Sequence, residues 1–108
     1  MVQEITVQDL QAMMCKDNLS TAFIDIRSLD ENEMASIKGF RNIPMTDLPD
    51  HVEGLKSMSD IICLCHHGVR SQQEANFLSQ ILPDANVYSV QGGIDAWSRQ
   101  IDLSVPSY

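Results

Sequence analysis

The chain reads as an α/β domain with a mostly parallel sheet. Short apolar runs of strand length alternate with segments whose apolar residues recur at helical spacing. One of those runs, Asp60-Ile61-Ile62-Cys63-Leu64-Cys65, is apolar almost throughout, as a strand covered on both faces must be. A chain of 108 residues has the length of one ordinary domain.

Taken in order, Thr6-Val7-Gln8-Asp9 has the form of a capping box, and Leu10, Met13 and Met14 continue it at helical spacing. Thr21 to Ile26 reads as a short buried strand ending in Arg27-Ser28, and Asp30 to Ile37 as one or two helical turns. Asn42-Ile43-Pro44-Met45 is an edge strand, because Pro44 has no N–H for a central ladder. Leu48, Val52 and Leu55 place a helix within Asp47–Met58. After the apolar strand, Ser71-Gln72-Gln73-Glu74 is a full capping box for a helix with the stripe Ala75, Leu78, Leu82, stopped by Pro83. Asn86 to Val90 is a further strand, and Gly92-Gly93 turns it into a helix carrying Ile94, Trp97 and Ile101 on one face.

Composition removes several classes. With 44% apolar and 20% charged residues, five Gly and four Pro, the chain is no disordered tail, collagen repeat or linker. No apolar run approaches the roughly 20 residues that span a bilayer. The net charge of −8 is the wrong sign for a duplex-binding protein, so no nucleic acid partner is expected. Met1-Val2-Gln3-Glu4 lacks the basic and apolar segments of a secretory signal, which makes the cytoplasm the expected location. Three cysteines cannot complete a disulfide framework, so reduced thiols are expected. Without repeats or linkers, residues 1–108 are expected to form one domain, with 102–108 trailing over the surface.

In parallel sheets, ligands sit beyond the carboxyl ends of strands. That rule selects the positions after Asp25, Cys65 and Val90. The loop Cys65-His66-His67-Gly68-Val69-Arg70-Ser71 joins the apolar strand to the capped helix. Its backbone N–H groups can curl toward one point, Gly68 permits the positive φ of such a curl, and the helix dipole favours a thiolate beside it. Arg70 adds a fixed positive charge, although it also reads as an ordinary solvated arginine. Cys65 is therefore the candidate nucleophile, whereas Cys63 and Cys15 fit core positions. The windows Met34–Thr46 and Ile61–Gln73 are the longest without Asp or Glu, leaving the loop free of local acids. A metal set of Cys63, Cys65, His66 and His67 lacks the usual zinc spacing, so neither metal nor cofactor is expected. Asp25 reads as the partner of an arginine or a backbone N–H, and Arg27 as the partner of Asp25 or Glu31. Asp30–Glu33 reads as a solvated helix face, Trp97 as core, and Gly92-Gly93 as site wall.

These residues resemble a single-domain rhodanese-like sulfurtransferase. The resemblance runs through Ile24-Asp25-Ile26-Arg27, Gly39 with Asn42-Ile43-Pro44, the loop Cys65 to Ser71, and Gly92-Gly93-Ile94-Asp95-Ala96-Trp97. It implies a three-layer α/β/α fold with a five-stranded parallel sheet. It implies further that Cys65 takes a sulfane sulfur from thiosulfate or a persulfide and passes it to a thiol or cyanide. His66, His67, Gly68, Val69 and Arg70 would bind the small anionic donor, supported by Asp25, Arg27, Ser71, Gly92 and Gly93. Two departures are visible: Ala35-Ser36-Ile37 stands where the family often has Gly-His-Ile, and Phe40 replaces a small residue. Both concern the rim and leave the Cys65 loop intact. Only four residues separate Cys65 from Arg70, against five in cysteine phosphatases, so poor phosphatase activity is expected. The competing readings are a non-turnover persulfide carrier docking in a protein sulfur relay, and a redox pair of Cys63 with Cys65.

Overall fold

The computed structural model describes residues 2–16 and 19–108; Met1 and Asp17–Asn18 lie outside it. Its strands are β1 (Val2–Ile5), β2 (Thr21–Asp25), β3 (Arg41–Asn42), β4 (Asp60–Leu64) and β5 (Asn86–Val90). They form one parallel sheet in the order β1-β5-β4-β2-β3. Helices α1 (Val7–Met14) and α5 (Gly93–Gln100) contribute to the core on one face, and α3 (Val52–Leu55) and α4 (Val69–Ile81) to the core on the other. The short α2 (Leu29–Met34) follows β2. This is the three-layer α/β/α arrangement with five parallel strands.

The central position of β4 accounts for its composition. Ile61 and Cys63 pack with Ala75, Leu78 and Leu82, while Ile62 and Leu64 pack with Val7, Leu10, Ile94 and Trp97. Both sets are buried, so the strand has no polar face to show. The period of two is present but invisible in a run that is apolar on both sides. β3 lies at the sheet edge but is only Arg41–Asn42, so Ile43, Pro44 and Met45, expected within it, lie beyond its end.

Several boundaries differ from the sequence expectation. β1 is an edge strand whose Gln3 and Glu4 are exposed, and two polar residues among four conceal its pattern. The helix expected over Asp47–Met58 is a 3-10 turn at Leu48–His51 followed by the single turn α3. Helix α4 does not begin at Ser71. Gly68, in the left-handed region at φ +100, precedes Val69 as the cap, and Ser71 lies inside the first turn. Cys15 is exposed at the end of α1 instead of lying in the core. The segment 102–108 exposes Leu103, but Val105 and Tyr108 turn inward and pack against the α1/α5 core. No helix among the described residues is long and apolar enough to cross a membrane.

Covering β4 on both faces makes a specific demand. Ile61→Ala and Ile62→Ala should each cost about 2–5 kcal/mol, read from urea unfolding midpoints. A strand with one solvated face would be sensitive at only one of the two positions.

Candidate functional site

Because every strand runs the same way, β2, β4 and β5 end at the same edge of the sheet. Cys65 follows β4 there and is almost fully buried. Its Sγ receives the Gly68 N–H at 3.0 Å and the Ser71 N–H at 3.3 Å. Its thiol donates to Ser71 Oγ at 3.4 Å. Ser71 Oγ also reaches the Gly68 carbonyl at 3.2 Å and shares a 2.7 Å hydrogen bond with Ser89 Oγ from β5. The loop therefore presents converging donors to one sulfur, an arrangement that stabilises negative charge. Ser71 matters as part of this cradle, not as a helix cap.

Two glycines make the curl possible. A Cβ on Gly68 would crowd the Gly92 nitrogen and Val90 carbonyl, in a backbone conformation that already disfavours side chains. A Cβ on Gly93 would overlap the carbonyl oxygens of Cys65 and His66. With no side chain there, α5 docks its first turn directly on the loop. Ile94 N–H donates to the Cys65 carbonyl at 2.9 Å, and Asp95 N–H to the His66 carbonyl at 3.1 Å.

Asp25 and Arg27 are both fully buried. Asp25 Oδ1 accepts from Arg27 N at 3.1 Å and Nε at 2.9 Å, and its other oxygen pairs with Nη2. Nη2 also donates to the Ala35 carbonyl at 2.6 Å, and Nη1 to the Glu31 carbonyl at 3.2 Å and to Tyr108 Oη at 2.7 Å. All five guanidinium N–H groups are thus used. Burial opposes the Arg27 charge, but the bonds to Asp25 and Tyr108 outweigh it and raise its pKa.

Arg70 does not point its charge at an empty anion site. Its Nη1 and Nη2 donate to Glu31 Oε1 and Oε2 at 2.7 and 2.9 Å. Tyr108 Oη donates to the same carboxylate at 2.8 Å. Glu31 is therefore no solvated helix residue, and the acid-free stretch around Cys65 in the sequence is not acid-free in space. The Arg70 hydrogen bonds, opposed by burial, pull the Glu31 pKa from 4.5 down to about 2. Ser28 and Glu31 cap α2 reciprocally, which fixes where Glu31 stands.

The Tyr108 ring stacks on His66 at 3.9 Å and 5°. His67 lies 3.9 Å from His66 and is exposed, as is Val69 at the loop rim. Burial, followed by the His67 charge, lowers the His66 pKa, and His66 Nε2 is buried without a hydrogen-bond partner. The histidines approach Asp95, with one ligand atom from each residue within 4.8 Å of the others, whereas Cys63 and Cys65 are not part of that group. Asp95 is already paired with Arg99. Burial pushes the Cys63 thiol up to about 12, which leaves it a protonated core residue. Phe40 packs edge-on against Phe23 at 5.4 Å. Ala35 and Ser36 line a separate crevice of about 450 Å³ with Met14, Trp97 and Val105. The residues that sequence reasoning missed are Tyr108, Ser89 and the role of Glu31. Only Glu31 carried a signal, the Ser28-Leu29-Asp30-Glu31 box.

A parallel α/β domain with a recessed cysteine in a curl of amides is the class that this geometry defines. The Rhodanese-like domain model matches residues 6–100, and the chain belongs to that family. It is 37% identical over 114 residues to a chloroplastic rhodanese-like/PpiC domain-containing protein of Arabidopsis thaliana, covering 99% of this chain and 38% of that protein. It covers 25% of an adenylyltransferase and sulfurtransferase of Drosophila virilis, so it spans well under half of these longer relatives. The thiosulfate sulfurtransferase GlpE of Vibrio cholerae is 30% identical over 96 residues, with 88% of this chain and 87% of that protein aligned. Among solved structures, a rhodanese-like domain protein from Staphylococcus aureus superposes with a TM-score of 0.78 at 24% identity over 98% of both chains.

Two outcomes follow from the charges. Asp25→Ala leaves Arg27 buried without its counter-ion and should cost about 3–5 kcal/mol in chemical denaturation. Since the Glu31 pKa is depressed, its stabilisation is complete above pH 4.5 and fades as pH falls toward about 2. The stability gap between the native chain and Glu31→Gln should accordingly shrink between about pH 6 and about pH 3.

Proposed function

We propose that the chain is a sulfurtransferase that moves a sulfane sulfur from thiosulfate or a persulfide to a thiol or cyanide through a Cys65 persulfide. The observation that carries this reading is the pair of N–H groups from Gly68 and Ser71 aimed at Cys65 Sγ. As hydrogen-bond donors aimed at the sulfur, they stabilise negative charge that develops on it. The thiolate attacks the outer sulfur of the donor. A Cys65–sulfur bond forms, the donor's sulfur–sulfur bond breaks, and sulfite leaves with the electron pair when the donor is thiosulfate. A thiolate or cyanide then attacks the outer sulfur of the persulfide and regenerates the Cys65 thiolate.

Ser71 Oγ accepts a hydrogen bond from the Cys65 thiol, and its rotatable hydroxyl is able to donate one once the sulfur is charged. His66 and His67 lie side by side on the loop after Cys65, Val69 is exposed at its rim, and Arg70 is paired with Glu31. Gly92 and Gly93 seat α5 beneath the loop. One domain spanning 1–108 carries the whole of this machinery. The four-residue spacing between Cys65 and Arg70 supports a small sulfur cradle in preference to a phosphate cradle. The high pKa of Cys63 argues against its use as a redox partner.

Incubation with thiosulfate should add about 32 Da, one sulfur, to Cys65 by intact and peptide mass, and cyanide or dithiothreitol should remove it. Cys65→Ser should lower transfer by about a thousandfold or more. Full activity in that variant would overturn the assignment.

A further inference from the structure

Three of the four arginines are committed to carboxylates. Arg27 is paired with Asp25, Arg70 with Glu31, and Arg99 with Asp95. The Glu31 carboxylate engages both terminal nitrogens of Arg70 and is held in place by Tyr108 Oη and by its capping contacts with Ser28. The Arg70–Glu31 pair is only partly exposed, with 35% and 21% of the side-chain surfaces accessible, so water screens it incompletely.

Donors differ in how much free positive charge their transfer needs. Attack of a thiolate on thiosulfate gathers three negative charges: Cys–S⁻ and S–SO₃²⁻ become Cys–S–S⁻ and SO₃²⁻. Attack on a hydropersulfide gathers one: Cys–S⁻ and R–S–SH become Cys–S–SH and R–S⁻. In both, one bond to Cys65 forms and one sulfur–sulfur bond in the donor breaks. The two backbone N–H donors at Sγ serve both reactions equally. Only the first also calls on an uncommitted cation.

Resting on the sulfurtransferase reading, we infer that Glu31 sets the donor class: by holding Arg70 with the help of Tyr108, it selects hydropersulfides on thiol carriers over free dianionic donors such as thiosulfate. Glu31 acts through Arg70 and is a specificity residue, not a catalytic one. The overall charge of −8 acts in the same direction at long range, since it repels a free dianion more than a neutral donor. Tyr108 is itself anchored on the Cys65 loop, its ring lying flat on His66.

The test is a donor comparison at low ionic strength with thiosulfate and 2-hydroxyethyl hydropersulfide, measuring kcat/KM and the mass of Cys65. The native chain should favour the hydropersulfide by more than about tenfold, and Glu31→Gln should raise the thiosulfate value by about tenfold while leaving the other within about twofold. Tyr108→Phe keeps the ring and loosens Glu31, so it should give the same donor split at about threefold; it carries the test if Glu31→Gln fails to fold. A purely structural role would change both donors in parallel, and that result overturns the inference. Equal use of both donors by the native chain overturns it as well. If neither donor loads sulfur onto Cys65, the transferase reading falls and takes this inference with it, an outcome that the mass distinguishes from loading without preference.

Discussion

The buried Arg27 guanidinium is the constraint around which the site is arranged. An arginine removed from water is tolerable only when its charge and every N–H have partners, and those partners come from three parts of the chain. Asp25 supplies the counter-charge from β2, the Glu31 and Ala35 carbonyls come from α2 and its end, and Tyr108 comes from the final segment. Satisfying one side chain therefore sets the position of α2. That position brings the Glu31 carboxylate to Arg70. The electrostatics at Cys65 are in this sense a consequence of solvating a buried charge elsewhere.

The cradle itself depends on what is missing. Gly68 leaves room for the Gly92 nitrogen and the Val90 carbonyl, and Gly93 for the carbonyls of Cys65 and His66. The starts of α4 and α5 meet at the loop, one providing donors to the sulfur and the other to the carbonyls of Cys65 and His66. The Cys65 and His66 carbonyls are thus satisfied before any donor arrives, so the course of the loop backbone does not depend on one. Preorganisation of this kind is what lets hydrogen bonds stabilise developing charge without further rearrangement.

The parts legible in the sequence were those governed by local pattern or by burial. β4 declares itself by being apolar on both faces, α4 by Ala75, Leu78 and Leu82, and the thiol loop by lying after a strand beside Gly68. Contacts between distant segments left no such trace. Nothing in Val105-Pro106-Ser107-Tyr108 marks its last residue as a partner of Arg27 and Glu31, 81 and 77 positions away. Ser71 misleads for a different reason: a serine three residues before an acid is equally suited to cap a helix or to turn its hydroxyl inward. The glycine at 68 already supplies the helix start, and the cysteine behind it claims the hydroxyl. Windows free of acid along the chain likewise say little when α2 is folded against the loop.

The parallel sheet also imposes an order on maturation. β5 lies between β1 and β4, so the first strand has no neighbour until residues 87–90 are available to pair with residues 2–5. Such long-range pairing is slow to close and is reached late in folding. On a ribosome, where the N-terminal end emerges first, Cys65 appears well before Gly93 and the first turn of α5 that seats beneath its loop. Until residues 93–95 have been made, the Cys65 loop lacks the Ile94 and Asp95 N–H groups that hold its carbonyls.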